Sequence, residues 1–582
     1  MRYLRMLSNS FIAGVLGAAY LTVLILQLNP HVPGDLASLW PLFSRLFLAY
    51  GVHLTVIFYA VIVLRQFLST TSHSPGWVSV RLLSWLVGGT AGLTAVLTWI
   101  NVWEFGATLG EAARAMSIGA AIVTASAVAL LGLAVALGSL GRRGGAVGAA
   151  ALVLVTIVSL ALPLSTRIRH ASEGLPVGFD PVGGAAIPGL PRVLMLLLDG
   201  ASFDYIATAV TEGRLPNFGM ILDTGAAMHL RTLRPTQPGP VWTAVATGKY
   251  PAKNGVKADA TYQVPGSDYP VELLPSHCLM PGLVRLGLLK EMPNTSSSLR
   301  ARPMWSILNG LGISVGVIGW PLTYPVQPVQ GYLVSERFHL FAQSPLSVED
   351  DAVAYPEAVV GAVFAGGEHS VSEDQTLQAV FAAPSTGGLP VVRVPSARDR
   401  FYRRIARQLK QQYEPRVVAV RYQGLDEVGH WFLRFAMPRV FGDVSEAERQ
   451  RHGRVLEESY AFIDAEVGEA IESLGSEDLL LVVSGFGMEP VGLGTRALAR
   501  ALSRPELSGT HDGAPDGFML AYGSSVAAGR LPVGAIVDVV PTIFYFLGLP
   551  VARDMDGFPR GDVFSRTFTA ERPITSIPSY DR

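Results

Sequence analysis

Residues 192–206 read RVLMLLLDGASFDYI, and residues 234–256 read RPTQPGPVWTAVATGKYPAKNGV. An apolar run that stops at Asp199-Gly200 has the pattern of a buried parallel strand that delivers a carboxylate to the carboxyl edge of a sheet. That edge is where open α/β sheets place their ligands. Asp199 is therefore the first candidate site residue.

Outward from this stretch the same alternation continues. Short apolar runs at 193–198, 313–319, 416–422 and 479–483 predict strands, and 300–311, 399–413 and 450–474 predict helices. Strand and helix in alternation predict an α/β domain, a largely parallel sheet flanked by helices, over 192–567. The weakly periodic, Gly- and Pro-containing stretch 340–398 is expected to be an insertion or cap, and 568–582 a frayed tail. Residues 171–191, SEGLPVGFDPVGGAAIPGLPR, have the composition of a linker.

The first third of the chain differs in kind. Mean hydropathy over the 582 residues is +0.36 with 16% charged side chains, and the excess apolar character lies before residue 170. Charge-free runs at 11–34, 46–64, 82–103, 115–141 and 144–166 are each near the length that spans a bilayer as a helix. They predict an all-α membrane domain of five transmembrane helices over 1–170. The first is expected to be an uncleaved anchor, because LQLNPHVPG after it lacks a small-x-small cleavage pattern. Arg2, Arg5, Arg65, Arg81, Arg142 and Arg143 fall on one side of these spans, and Arg45 and Arg114 on the other. The bias predicts a cytoplasmic N-terminus and an extracytoplasmic C-terminal domain, hence residence in the cytoplasmic (inner) membrane of an envelope. His53 is the one ionisable group at membrane depth, and it is expected to pack as a neutral imidazole between helices.

A net charge of -1 gives no reason to expect a nucleic acid duplex as a partner. With Cys278 the only cysteine, neither an intrachain disulfide nor a cysteine zinc site can form. A metal ion, if bound, must be held through His, Asp and Glu. Asp426 and His430 stand four apart in QGLDEVGHWF, and GTHDGAPDGFMLAYG supplies His511 in a loop before another apolar run. One carboxylate and two imidazoles at a sheet edge make a three-ligand site for zinc or a similar ion, with a position left for water or substrate.

The domain resembles the alkaline phosphatase superfamily, specifically its type I phosphodiesterase and nucleotide pyrophosphatase branch. The similar words are LLLDG at 196–200, PVWTAVATGKYPAKNGV at 240–256, WSILNGLGISVGVIGWPLTYP at 305–325 and VVAVRYQGLDEVGHWF at 417–432. VVSGFGM at 482–488, GTHDGAPDGFML at 509–520 and VDVVPTIFYFLGLPVARDMDG at 537–557 complete the series in the family's order. The resemblance implies two zinc-type ions. One would be held by Asp426, His430 and His511. The other would be held by Asp199, a Thr or Ser nucleophile, and an adjacent Asp and His in an S-D-H-G word.

Three of those last positions depart from the pattern. Pro238 stands where the nucleophile belongs, and Gly485 and Phe486 replace the Asp and His. Asn254 is a smaller departure, where relatives often carry His. All the missing ligands belong to one ion and to the nucleophile that ion would activate, so one bound divalent ion per chain is expected rather than two. Thr236 and Ser484 are nearby hydroxyls, but such residues near turns usually bond local backbone. Glu427 and Glu489 adjoin the motif words, and Trp242 and Phe486 are expected to pack the site. Three functions are compatible with these features. The first is a membrane-anchored phosphodiesterase or phosphohydrolase acting on phosphate esters with one ion. The second is a catalytically degenerate protein of the envelope that binds an anionic ligand or serves as a scaffold. The third, suggested by the similar layout of phosphoethanolamine transferases, is an envelope phosphate-head-group transferase, which would need the missing nucleophile.

Overall fold

The computed structural model describes residues 1–68, 75–140, 145–167, 189–275, 281–343, 353–365, 396–501, 507–513 and 515–581. The expected linker lies outside the described residues except for 189–191, and the expected cap lies outside them except for 340–343, 353–365 and 396–398. The chain divides into two units, Met1–Glu173 with Ala260–Pro293, and Gly174–Asp259 with Asn294–Arg582.

In the first unit, helices α1 (Arg2–Leu28), α2 (Leu36–Leu68), α3 (Val80–Leu109), α4 (Glu111–Leu140) and α5 (Gly145–Ser165) are each long and apolar enough to cross a membrane. Helix is the form such segments take because every backbone N–H and C=O is then satisfied within the segment. α2 starts well before the charge-free run that predicted it. Asp35 caps its first turn by accepting from the Ser38 N–H at 3.0 Å, Pro41 lies inside it, and Phe47–Gly51 forms a π-helical turn. Just beyond that turn His53 differs from expectation. Its ring is exposed on the helix surface and Nδ1 lies 2.5 Å from the Ala49 carbonyl one turn back, so the helix itself satisfies the imidazole.

The first unit also contains 260–293, which comes from the middle of the second unit's sequence. Ala260–Gln263 and Lys290–Pro293 pair as an antiparallel hairpin. The buried amide of Asn29, just past α1, donates to the Leu273 carbonyl at 2.8 Å and accepts from the Glu272 and Leu273 N–H groups at 2.8 and 2.9 Å. Around it Leu24, Ile25, Leu26 and Val32 share one apolar cluster with Val264, Val271, Leu283 and Leu289. A fully bonded amide inside such a cluster fixes register, since displacing it would strand three polar groups.

The second unit is an α/β fold. Its central strands are β1 (Val193–Leu198), β2 (Ala226–Arg231), β3 (Val315–Ile318), β4 (Gly331–Val334), β5 (Val417–Tyr422), β6 (Leu479–Phe486) and β7 (Asp516–Tyr522). They lie in the order β2-β7-β6-β1-β5-β3-β4, extended at the edges by two-residue strands. β6, β1, β5, β3 and β4 run parallel, and β7 is antiparallel to both neighbours. The continuous apolar runs reflect burial on both faces. Val193, Met195 and Leu197 of β1 enter one core with Trp242 and Phe486, while Leu194, Leu196 and Leu198 enter the other with Phe432 and Ile463.

The tail departs from the expectation of fraying. Ser576–Ile577 pairs with Val551–Ala552, and Tyr580 stacks edge-on against Phe544 at 5.5 Å. Buried Lys249 supplies the reason: its ammonium donates to Asp554 at 2.7 Å and to Asp581 at 2.5 Å, and a buried charge requires such counterions.

Candidate metal centre

Asp426 and His430 lie on α8 (Gly424–Ala436), one turn apart on the same face, immediately after β5. The N-terminus of α8 is capped from another helix, α7 (Ala397–Tyr413). Its buried Asp399 accepts from the Gln423 and Gly424 N–H groups at 3.0 and 2.9 Å, and burial nevertheless pushes this carboxyl up to about 6. Asp426 is packed against Gly200, whose φ of +66° and missing side chain are both needed. A Cβ there would lie 2.9 Å from the Asp426 Cα.

His511 arrives from the loop after Gly509–Thr510, so two distant parts of the sequence converge. Nε2 of His430 is 3.5 Å from Asp426 Oδ2, and Nε2 of His511 is 4.0 Å from Asp426 Oδ1. One ligand atom from each residue falls within 4.8 Å of the others. Both imidazoles are oriented from behind. His430 Nδ1 bonds the Gly509 carbonyl at 2.9 Å and His511 Nδ1 bonds the Thr236 carbonyl at 3.1 Å. These bonds fix the tautomer that leaves each Nε2 lone pair facing Asp426, the outer-shell arrangement typical of metal-ligating histidines. Asp426 Oδ1 is buried without a hydrogen-bond partner among the described residues. A carboxylate that has one orphaned oxygen and faces two imidazole nitrogens fits a small divalent cation. Burial pushes the His430 imidazole down, but Asp426 more than offsets this and leaves it above its ordinary value.

Asp199 has different company. It is 2% exposed at the end of β1, and Arg421 of β5, itself 4% exposed, grips both of its oxygens, with Nε to Oδ1 at 3.0 Å and Nη2 on Oδ2. The Trp242 indole N–H donates to Oδ1 at 2.7 Å. Burial raises the Asp199 carboxyl, and the guanidinium and the indole oppose that shift. Leu197 pairs with Arg421 across the parallel ladder, which brings the guanidinium beside the strand end. Arg421 went unnoticed in the sequence, although a lone charge within VVAVRY was its signal.

The positions expected to complete a second ion site are filled by other groups. Pro238 is the first residue of α6 (Pro238–Thr247), a position proline favours. Phe486 is fully buried with its ring 5.1 Å from that of His511. A Cβ on Gly485 would fall 2.4 Å from Val241 Cγ1, so a ligand side chain there would have to displace Val241. The two spare hydroxyls are committed to backbone, Thr236 donating to Leu233 at 2.7 Å and Ser484 to Phe486 at 2.9 Å. Glu427 turns to Arg398 at 3.3 Å, and burial pushes it up to about 7.

Asp259 is the second residue that sequence reading missed. It accepts from the Gly239 N–H at 2.6 Å and donates its own N–H to Gln237 at 2.8 Å. A carboxylate thus occupies the N-terminus of α6, which otherwise favours a substrate anion. The residue as a whole retains solvent access, but burial of its carboxyl raises its proton affinity, with the Gly239 N–H and then His511 opposing.

His339 lies close to the same polar layer, Nδ1 3.1 Å from the Tyr402 hydroxyl, and burial, then Arg398, push it down to about 3. An unfolded chain protonates this histidine below about 6.5, whereas the folded chain does not until about 3. Its contribution is therefore complete above the unfolded value and lost as pH falls through this window. At pH 5 the loss is about 2 kcal/mol, and His339→Gln is expected to show a correspondingly smaller drop in unfolding free energy between pH 7.5 and 5. Asp399 slopes the other way, so the difference between wild type and variant is the readout. Equal drops in both proteins would contradict it.

A family model described as Type I phosphodiesterase / nucleotide pyrophosphatase matches residues 193–532. Two solved structures are similar. A mutant of alkaline phosphatase PafA is 12% identical with a TM-score of 0.40, covering 65% of this chain and 100% of its own. The inactive form of murine ectonucleotide pyrophosphatase / phosphodiesterase 5, in complex with AMP, is 14% identical with a TM-score of 0.38, covering 64% and 100%. No curated protein matches.

Proposed function

We propose that this chain, which belongs to the type I phosphodiesterase / nucleotide pyrophosphatase family, binds a phosphate ester at a single-ion site and has lost the family's two-ion covalent hydrolysis. Asp426, His430 and His511 would hold the ion, and two nitrogens with one oxygen favour zinc. When bound, the ion supplies a Lewis acid for a phosphoryl oxygen. The single observation that carries the reading is the Asp199 carboxylate: Arg421 and Trp242 engage both oxygens, so a fixed monovalent cation stands where a second divalent ion would need that ligand. The protein would be anchored in the cytoplasmic (inner) membrane with its N-terminus in the cytoplasm and the phosphodiesterase domain outside. The arginine asymmetry supports this topology.

A second reading, hydrolysis by direct attack of water, is favoured by Asp259. The residue retains solvent access, and its carboxylate sits at the α6 N-terminus with a raised proton affinity. There it would accept the proton of a water that bonds to phosphorus while the ester P–O bond breaks toward the leaving oxygen. The discriminating assay uses the purified full chain in detergent with a bis-aryl phosphate diester and added zinc or manganese. Binding without catalysis predicts equal trace turnover in wild type, His430→Ala and Asp259→Asn, together with binding of a non-hydrolysable aryl phosphonate that His430→Ala abolishes. Turnover lost in both variants would overturn the proposal in favour of the hydrolase.

A further inference from the structure

We infer that the first unit carries a binding site for one anionic glycerophospholipid at the end of the helices remote from Asn29. A cavity of about 310 Å³ opens between α1, α2 and α3, with Arg65, Gln66 and Arg81 on its polar side and Met6, Ile62 and Trp85 on its apolar side. Its wall is tied down. Asn9 of α1 donates to the Gly76 carbonyl at 2.9 Å and accepts from the Ser79 N–H at 2.7 Å, and Ser8 donates to the Trp77 carbonyl at 3.0 Å.

Among the described residues no carboxylate balances the charge of this cavity. Among residues 1–103 the only acid is Asp35, which caps α2 at its opposite end. No carboxylate pairs with Arg65 or Arg81 among the described residues. Two guanidinium groups match the oxygens of one phosphate, the recognition for which arginine is suited. The apolar side selects the source of that phosphate. Ile62 and Trp85 belong to helices long and apolar enough to cross a membrane, so acyl chains would continue from the cavity along those helices, whereas a free anion would leave the apolar wall uncovered.

The test uses delipidated full chain in detergent, with lipid retention read by native mass spectrometry. The probes are phosphatidylglycerol, phosphatidylcholine and inorganic phosphate. Phosphatidylglycerol is expected to be retained about 10-fold over phosphatidylcholine, with inorganic phosphate failing to compete at equal concentration. Arg65→Gln with Arg81→Gln is expected to remove that preference. Each single substitution should weaken it about threefold, which keeps the test decisive if the double variant misfolds. Arg45→Gln with Arg114→Gln removes the same charge at the other end and is expected to change nothing. Equal retention of the two lipids, competition by inorganic phosphate, or equal losses in the two double variants would overturn the inference.

Discussion

Replacing Arg421 with methionine is expected to destabilise the second unit by about 3–5 kcal/mol, because it strands the Asp199 charge in a dry site. The pair lies between strands rather than at the surface, so screening cannot soften the loss. The indole N–H of Trp242 would remain, but one hydrogen bond does not replace a guanidinium bonded to both oxygens. Removing both charges should behave differently. Asp199→Leu with Arg421→Met is expected to regain most of the loss, since apolar replacements of a buried pair are often tolerated. Denaturant unfolding of the detergent-solubilised chain gives the comparison, and the double-mutant cycle isolates the coupling. A single variant within about 1 kcal/mol of wild type would show that the pair is not what neutralises Asp199.

The second large effect is on metal. His430→Ala or His511→Ala leaves two of three protein ligands, and zinc affinity is expected to fall by more than the 10- to 100-fold typical of disrupting only an outer-shell partner. Asp426→Asn should do the same by removing the only anionic ligand. Competition with a chromophoric chelator measures all three. Because Arg421 and Trp242 already engage Asp199, Asp199→Asn is expected to leave zinc affinity unchanged, and a parallel loss there would merge the two sites.

The difference between these clusters was only partly legible in the sequence. The i, i+4 spacing of Asp426 and His430 follows from helix periodicity, and His511 was found as a histidine in a loop. Asp199 was placed correctly at a strand end, and the replaced ligands Pro238, Gly485 and Phe486 were visible by resemblance. What engages Asp199 in the fold was not visible. Arg421 read as one residue of a strand, and only the parallel register beside Leu197 shows that it reaches Asp199. Asp259 had no sequence signal, since its partner Gly239 lies twenty residues earlier. The spans were legible because hydropathy is a local property, but the start of α2 was not, since Arg45 interrupted the apolar run. The placement of 260–293 depends on Asn29, more than 240 residues away, and no local pattern reports that contact.

On the function proposed above, this family member would retain one ion site, with a guanidinium sealing the other. Elemental analysis of the purified full chain, equilibrated with excess zinc and then freed of unbound metal, tests it most directly. One zinc per chain, falling to none in His430→Ala, is the predicted result. Two zinc ions per chain, with one lost in Asp199→Asn, would contradict it.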